Sequence, residues 1–449
     1  MPSFRDELPP MVRLAGPIVL AELGWMFMAI VDTMMVGRLP YSADAIGAVS
    51  LGSVLFYTVG IFGTGMMLGL DTLVAQSFGA GRIDDCHHSL INGVYLSLVA
   101  GPVLVGIVWM LGEAMRHFGM QPEILSLALP YLHALSWSMF PLLLYFVFRR
   151  YLQGMNLVKP VMFALISANI VNLCGNWIFI YGHFGFRAMG PVGSGWATCF
   201  SRVYMAAVLL AYIIYYDHRH KTGLRAMEAY PDFARVRRLV SLGIPAAAQL
   251  TVEVGVFAVA TSLIARLGAI PLASHQIALN AASFTYMVPL GIGSAAAVRV
   301  GQALGRKDPE GARRAGSTAV ALGAGFMGCM AIVFWVVPRP IVRIFTPDVS
   351  VIQAAVKLLF VAAFFQLFDG IQAVTTGALR GTGDTRTPLV CHLLAYWVIG
   401  LPLGYYLCFD RGWGAVGLWT GLSAGLILIG IALLFFWQRT VGRFSSALR

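Results

Sequence analysis

Residues 11–39 read MVRLAGPIVLAELGWMFMAIVDTMMVGRL. A helix of about 20 mostly apolar residues crosses a bilayer. This run is therefore a transmembrane span, with Glu22 and Asp32 inside it and Pro17 near its start. Carried along the chain, the same reading finds twelve spans, near 11–38, 45–76, 88–112, 124–152, 158–183, 190–216, 237–265, 272–300, 314–340, 350–379, 386–408 and 413–437. Composition agrees: the 449 residues are 58% hydrophobic and 11% charged, whereas an ordinary soluble domain carries about 25% charged residues. These features predict an all-α integral membrane protein. They exclude a soluble enzyme, a disordered chain, a coiled coil and a disulfide scaffold. The net charge of +11 resides mainly in short loops between apolar runs, where basic residues set membrane orientation, so no nucleic-acid partner is expected. The N-terminal MPSFRDELPP is acidic as well as basic and does not read as a cleavable signal peptide.

The two halves match at a nearly constant offset. L-A-G-P at 14–17 aligns with L-G-I-P at 242–245, Arg38-Leu39 with Arg266-Leu267, and Pro160 with Pro388, each pair 228 residues apart. Gly79 aligns with Gly305 at an offset of 226, and G-P-V-G at 190–193 with G-A-V-G at 414–417 at 224. Five matches in register predict two parallel six-helix repeats: an N-lobe at 1–216, a linker at 217–236 and a C-lobe at 237–449. Lys and Arg number 22 beside the termini, the linker and the even-to-odd loops, and seven on the opposite side. By the positive-inside rule both termini are expected in the cytoplasm.

An ionisable side chain at the bilayer centre costs about 2.5–3.5 kcal/mol on insertion scales, and such residues mark ion or proton pathways. Five acids lie within spans: Glu22, Asp32, Asp71, Glu253 and Asp369. The repeat sets Trp25 opposite Glu253, Pro141 opposite Asp369 and Ala260 opposite Asp32. An architectural acid tends to recur in both halves, so Glu253, Asp369 and Asp32 are the candidate cation sites. Asp71, near the end of span 2, reads as a structural bond to the adjacent loop. Glu22 either lines a cavity or pairs with Arg202, which lies about 14 Å into span 6 at 1.5 Å rise per residue. Arg202 in turn is expected to face an acid or a wet cleft.

Asn169, Asn172 and Asn176 share one stripe of span 5; their amides either serve Asp32 or hold helices together. Tyr286 in span 8 either offers its π-face to a cation or is an ordinary core aromatic. The same two readings cover Phe368, Trp25, Phe27, Met28, Phe284 and Phe364. Pro17 and Pro245 each free a carbonyl and bend a helix, and their matched positions favour fixed architecture over a moving hinge. The chain has no G-x-x-x-x-G-K-[ST], no H-E-x-x-H and no Cys/His cluster. Its six cysteines form no C-x-x-C pair and are read as free thiols. Neither an enzyme nor a bound cofactor is expected.

Five segments carry a family resemblance: VDTMMVGRL at 31–39, LDTLVAQSFGAG at 70–81, ARLGAIPLASHQIALN at 265–280, YMVPLGIGSAAAVRVGQALG at 286–305 and ALRGTGDTRTP at 378–388. Together they resemble the MATE (multidrug and toxic compound extrusion) antiporters, from about residue 11 to about residue 437. Glu253 in LTVEVGVF and Asp369 in FQLFDGIQ are similar to the acid pair of the NorM-like branch. The resemblance implies two six-helix lobes forming a V-shaped chamber in a bacterial inner membrane. It implies export of small organic cations against inward Na⁺ or H⁺. Glu253 and Asp369 would be the C-lobe coupling acids, and the Na⁺ ligands if Na⁺ is the coupling ion. Asp32 would be the N-lobe acid, with Asn172 and Asn176 as polar partners, and Tyr286 would meet the cation or drug. Glu22 departs from the family pattern. Nothing here requires more than a monomer. The alternative is a flippase for a lipid-linked precursor, from the same broad superfamily, which would need a cationic cavity; a channel is a third reading.

Overall fold

The computed structural model describes residues 4–117, 122–227 and 230–446; Glu228 and Ala229 of the expected linker lie outside the described residues. Among the described residues the regular structure is all helical. Eleven helices among the described residues are long and apolar enough to cross a membrane, and a bent pair, Pro122–Ser136 with Met139–Gly154, makes a twelfth when taken as one span. Span 1 is Phe4–Val36, and span 2 is Ser42–Met66 continued by Gly69–Gly79. Spans 5, 6 and 7 are Val158–Tyr181, Pro191–His220 and Phe233–Ala265. Spans 8 and 10 are Ala269–Gly305 and Val349–Thr382, and span 12 is Gly414–Ser446.

Span 4 bends by 42° at Trp137-Ser138. Pro141 explains the break: it has no N–H for the carbonyl of Trp137, and its ring crowds that carbonyl. The Ser138 hydroxyl instead donates to the carbonyl of Leu135 at 2.5 Å. Span 11 is irregular in another way. It is α-helical over Arg386–His392, π-helical over Leu393–Gly400, α-helical over Leu401–Tyr405 and π-helical again over Tyr406–Asp410. Pro402 withholds one N–H from this ladder, and π-helical turns are a known response to such interruptions, often at functional sites.

Lipid is as apolar as a leucine side chain, so small residues that let backbones approach favour helix association in a membrane. Here Gly404 lies against Gly421, and Gly400 against Gly425, which draws span 11 onto span 12. Likewise Gly377 lies against Gly293 and Gly381 against Ala297, joining span 10 to span 8.

By its contacts the chain divides into two compact units, residues 20–247 and residues 1–19 with 248–449. Both division points fall inside helices. One lies two residues after Pro17 in span 1, the other two residues after Pro245 in span 7. Within the unit 20–247, Leu70, Val147, Leu165 and Leu209 are part of a buried core, beside which Trp25 stacks on Tyr145 with ring centroids 6.3 Å apart.

Candidate functional site

In the unit formed by 1–19 and 248–449, one buried polar cluster draws side chains from four spans. Glu253 comes from span 7, Tyr286 from span 8, Asp369 and Gln372 from span 10, and His392 from span 11. Glu253, Asp369, Gln372 and His392 are buried. The Tyr286 hydroxyl donates to Glu253 Oε1 at 3.2 Å. The Gln372 amide is shared three ways: its Nε2 lies 3.2 Å from Asp369 Oδ1, 3.4 Å from Glu253 Oε1 and 3.4 Å from the Tyr286 hydroxyl. Gln372 and Asp369 are three residues apart on one helix, which places both on the same face. Gln249, one turn before Glu253, donates to Glu253 Oε2 at 2.7 Å.

His392 closes the far side of the cluster. A carbonyl oxygen only accepts, so its Nδ1, 2.7 Å from the carbonyl of Pro388, carries a proton. Its Nε2 lies 3.3 Å from Gln249 Nε2, 3.0 Å from Gln372 Oε1 and 3.6 Å from Glu253 Oε2. One turn on, the fully buried Tyr396 has a hydroxyl with no hydrogen-bond partner among the described residues. The two carboxylates thus share the Gln372 amide, Glu253 also meets a second amide, a phenol and an imidazole, and neither has a Lys or Arg within 4.0 Å among the described residues. Such a site has negative charge to offer a cation and oxygen atoms to hold it.

In the unit 20–247 the arrangement differs. Asp32 accepts from Asn176 Nδ2 at 2.6 Å and from the Thr198 hydroxyl at 3.0 Å. Asn176 also donates to Asn172 Oδ1 at 3.2 Å. The third amide of the stripe, Asn169, bonds the carbonyls of Gly24 and Leu165 instead. The amide oxygen of Asn176 is buried without a hydrogen-bond partner among the described residues.

Two pairings differ from those expected. Glu22 does not pair with Arg202; it forms an ion pair with Arg149, which is 1% exposed. Asp71 is not simply a tie to its adjacent loop; its carboxylate lies 3.4 Å from Arg150 Nη1 of span 4. Arg149 and Arg150, in the last turns of span 4, are both buried. Arg202 donates to the Ser138 hydroxyl at 2.5 Å and to the Tyr57 hydroxyl at 3.3 Å. Phe368 has its backbone and ring against Gly430 of span 12. Sequence reasoning missed His392, Gln249, Gln372, Thr198 and Tyr396. A histidine inside the apolar run 386–408 was the available signal for the first of these.

The MatE family model matches residues 17–178 and 245–406, two stretches in the register of the internal repeat. A probable multidrug resistance protein NorM of Mesorhizobium japonicum is 36% identical over 97% of this chain and 94% of its own length. Another, of Pseudomonas aeruginosa, is 35% identical over 96% of this chain and 90% of its own. Among solved structures, the eukaryotic MATE transporter AtDTX14 superposes with a TM-score of 0.86 at 21% identity, covering 99% of this chain and 100% of that one. A MOP superfamily transporter from Pyrococcus furiosus gives 0.86 at 19% identity, covering 97% and 96%. The solved structures share the fold. With both repeats matched and relatives above 30% identity along nearly its whole length, this chain belongs to the MATE family of transporters.

Proposed function

We propose that this chain is a multidrug exporter of small organic cations in a bacterial inner membrane, working by alternating access and coupled to inward Na⁺ or H⁺. The multidrug-resistance names of its relatives support the substrate class. The basic loops beside the termini support a cytoplasmic location for both ends. One observation supports the mechanism: Glu253 and Asp369 are buried together around Gln372 with no Lys or Arg within 4.0 Å among the described residues.

Burying an unpaired charge is costly, and a bound cation relieves that cost. A coupling ion and an organic cation relieve it equally well but not at the same time. Competition for one negative site turns two downhill bindings into an exchange. A ligand shifts the balance of two conformations only by its differential affinity for them, so occupancy of these acids would have to differ between inward- and outward-open states.

Energetics favour two coupling ions per drug. One charge falling through 100 mV yields about 2.3 kcal/mol, but one-for-one exchange of monovalent cations cancels that term. About 1.4 kcal/mol per tenfold concentration gradient then remains. A second ion restores the voltage term, and two carboxylates provide a seat for each. Asp32, with its Asn176 and Thr198 donors, is a third acid within the same reading. The mechanism requires neither a cofactor nor a second subunit.

Proteoliposomes loaded with a fluorescent organic cation test this. A Na⁺ gradient or a pH gradient, imposed separately, is expected to drive exchange with trans-stimulation. Movement driven by neither gradient, or flux without trans-stimulation as in a channel, overturns it.

A further inference from the structure

At one end of the unit 20–247, three spans enclose a groove of about 280 Å³. Ser77 lines it from the last turn of span 2, and Arg82, Asp85 and Ser89 from the entry to span 3, Ile83–Ala114. Arg235 and Arg238 line it from the first turns of span 7. Asp85 is the one acid in its wall among the described residues; it forms an ion pair with Arg235 and lies 3.3 Å from Arg82 Nη1. Arg235 also reaches Asp232, 3.2 Å away. Arg238 is exposed and has no carboxylate within 4.0 Å among the described residues. Even with Asp232 counted, positive charge is in excess, and it faces an open space.

The internal repeat shows that this corner is not shared architecture. At the offset of 226 that joins Gly79 to Gly305, Arg82 corresponds to Asp308, Ser77 to Ala303 and Ser89 to Ala315. At the offset of 228 that joins Pro17 to Pro245, Arg235 corresponds to Glu7 and Arg238 to Pro10. In the other half Asp308 accepts from the Gly311 N–H at 2.7 Å as a helix cap, and Glu7 is taken by Arg299. Three basic and two hydroxyl positions therefore differ together. A charge that only sets membrane orientation needs a short loop; it needs neither a groove nor hydroxyls beside it.

We propose that this groove binds the phosphate of an anionic phospholipid, held by Arg82, Arg235, Arg238 and the Ser77 hydroxyl, with Asp85 as its competitor for two of the three arginines. Guanidinium forks match phosphate oxygens, and basic pockets between transmembrane helices on the cytoplasmic side take anionic headgroups. Leu73, also in the wall, offers apolar surface to the start of an acyl chain. A bound lipid joins the first turns of span 7 to the end of span 2 and the entry to span 3. The site does not depend on the transport reading; it takes from it only the cytoplasmic leaflet as the source of lipid.

Purified full-length protein in neutral detergent, titrated separately with phosphatidylglycerol, phosphatidylcholine and inorganic phosphate, tests this. Native mass spectrometry counts bound lipid, and Tm is measured alongside. Phosphatidylglycerol is expected to bind and to raise the Tm, because a ligand of the folded state stabilises it; the other two are expected to do much less. Arg82→Gln with Arg238→Gln changes two exposed side chains and is expected to weaken phosphatidylglycerol binding by about 30-fold. Arg306→Gln with Arg439→Gln removes two exposed arginines elsewhere and is expected to weaken it far less. Equal losses in the two double variants overturn the proposal, since they reduce it to general attraction between a basic surface and anionic lipid. Protection by inorganic phosphate as strong as that by phosphatidylglycerol also overturns it, by making the groove a site for a free anion. Asp85→Asn carries the opposite sign: with the competing carboxylate gone, lipid binding is expected to tighten, and unchanged or weaker binding overturns the proposal.

Discussion

The two units bury acids in opposite company. In the unit 20–247, Glu22 and Asp71 each meet an arginine. In the other unit, Glu253 and Asp369 meet only amides, a phenol and an imidazole. The repeat makes the contrast sharper. At an offset of 228, Glu22 corresponds to Leu250 and Arg149 to Gly377, and Gly377 serves to bring span 10 onto Gly293. Conversely, Trp25 stands where the other half has Glu253, and its ring stacks on Tyr145. One copy of the duplicated bundle sets Glu22 and Asp71 against arginines, and the other surrounds Glu253 and Asp369 with groups other than Lys and Arg.

The largest expected effect separates the two kinds of acid. Glu253→Gln and Asp369→Asn are expected to reduce drug efflux to the level of empty vesicles, with membrane insertion and Tm close to wild type because neither change strands a buried cation. Efflux assays and thermal melts on the same preparations check this; normal efflux in both variants would erase the contrast. Glu22→Gln is expected to do the reverse. It leaves Arg149 buried without its partner, a loss of about 3–5 kcal/mol, which the additional change Arg149→Met should largely restore. Chemical unfolding of the three proteins reads this out directly.

A smaller and signed effect probes the shared amide. Hydrogen bonds to charged groups contribute about 1.5–3 kcal/mol. Gln372→Leu removes a donor that competes with a cation for both carboxylates. The half-saturating cation concentration for exchange is therefore expected to fall, by about tenfold or more; a rise would mean that Gln372 holds the cation rather than competing with it. A last effect, on stability and not on exchange, lies outside both clusters. Gly421→Ala places a methyl group against the backbone of Gly404 and is expected to cost about 1–3 kcal/mol through overpacking, measurable as a lower Tm with the cation dependence of exchange retained.

Much of this was legible in the sequence. Runs of about 20 apolar residues fix the number of spans, and acids stand out inside them because each is expensive there. Which partner an acid finds was far less legible. In a membrane the lipid-facing and protein-facing sides of a helix are both apolar, so hydropathy does not reveal how a helix is turned about its axis. Nothing in the run 124–152 therefore shows that Arg149 and Arg150 face inward, and Glu22 keeps two readings, a cavity wall or a pair with Arg202. His392 was passed over for a related reason: its approach to Glu253 depends on spans 7, 10 and 11 meeting, and on the backbone of span 11 near a π-helical segment. The bend of span 4, by contrast, had a visible cause in Pro141.

At Gly404 against Gly421 and at Gly400 against Gly425 the backbones of spans 11 and 12 meet directly. Two backbones in direct touch cannot roll past one another; they are geared. Any rotation that swings His392 and Tyr396 would drag the last helix with it, out to the exposed Gln438 near its far end. A spectroscopic label at that position would test, from well outside the cluster, whether adding Na⁺ or changing the pH moves it.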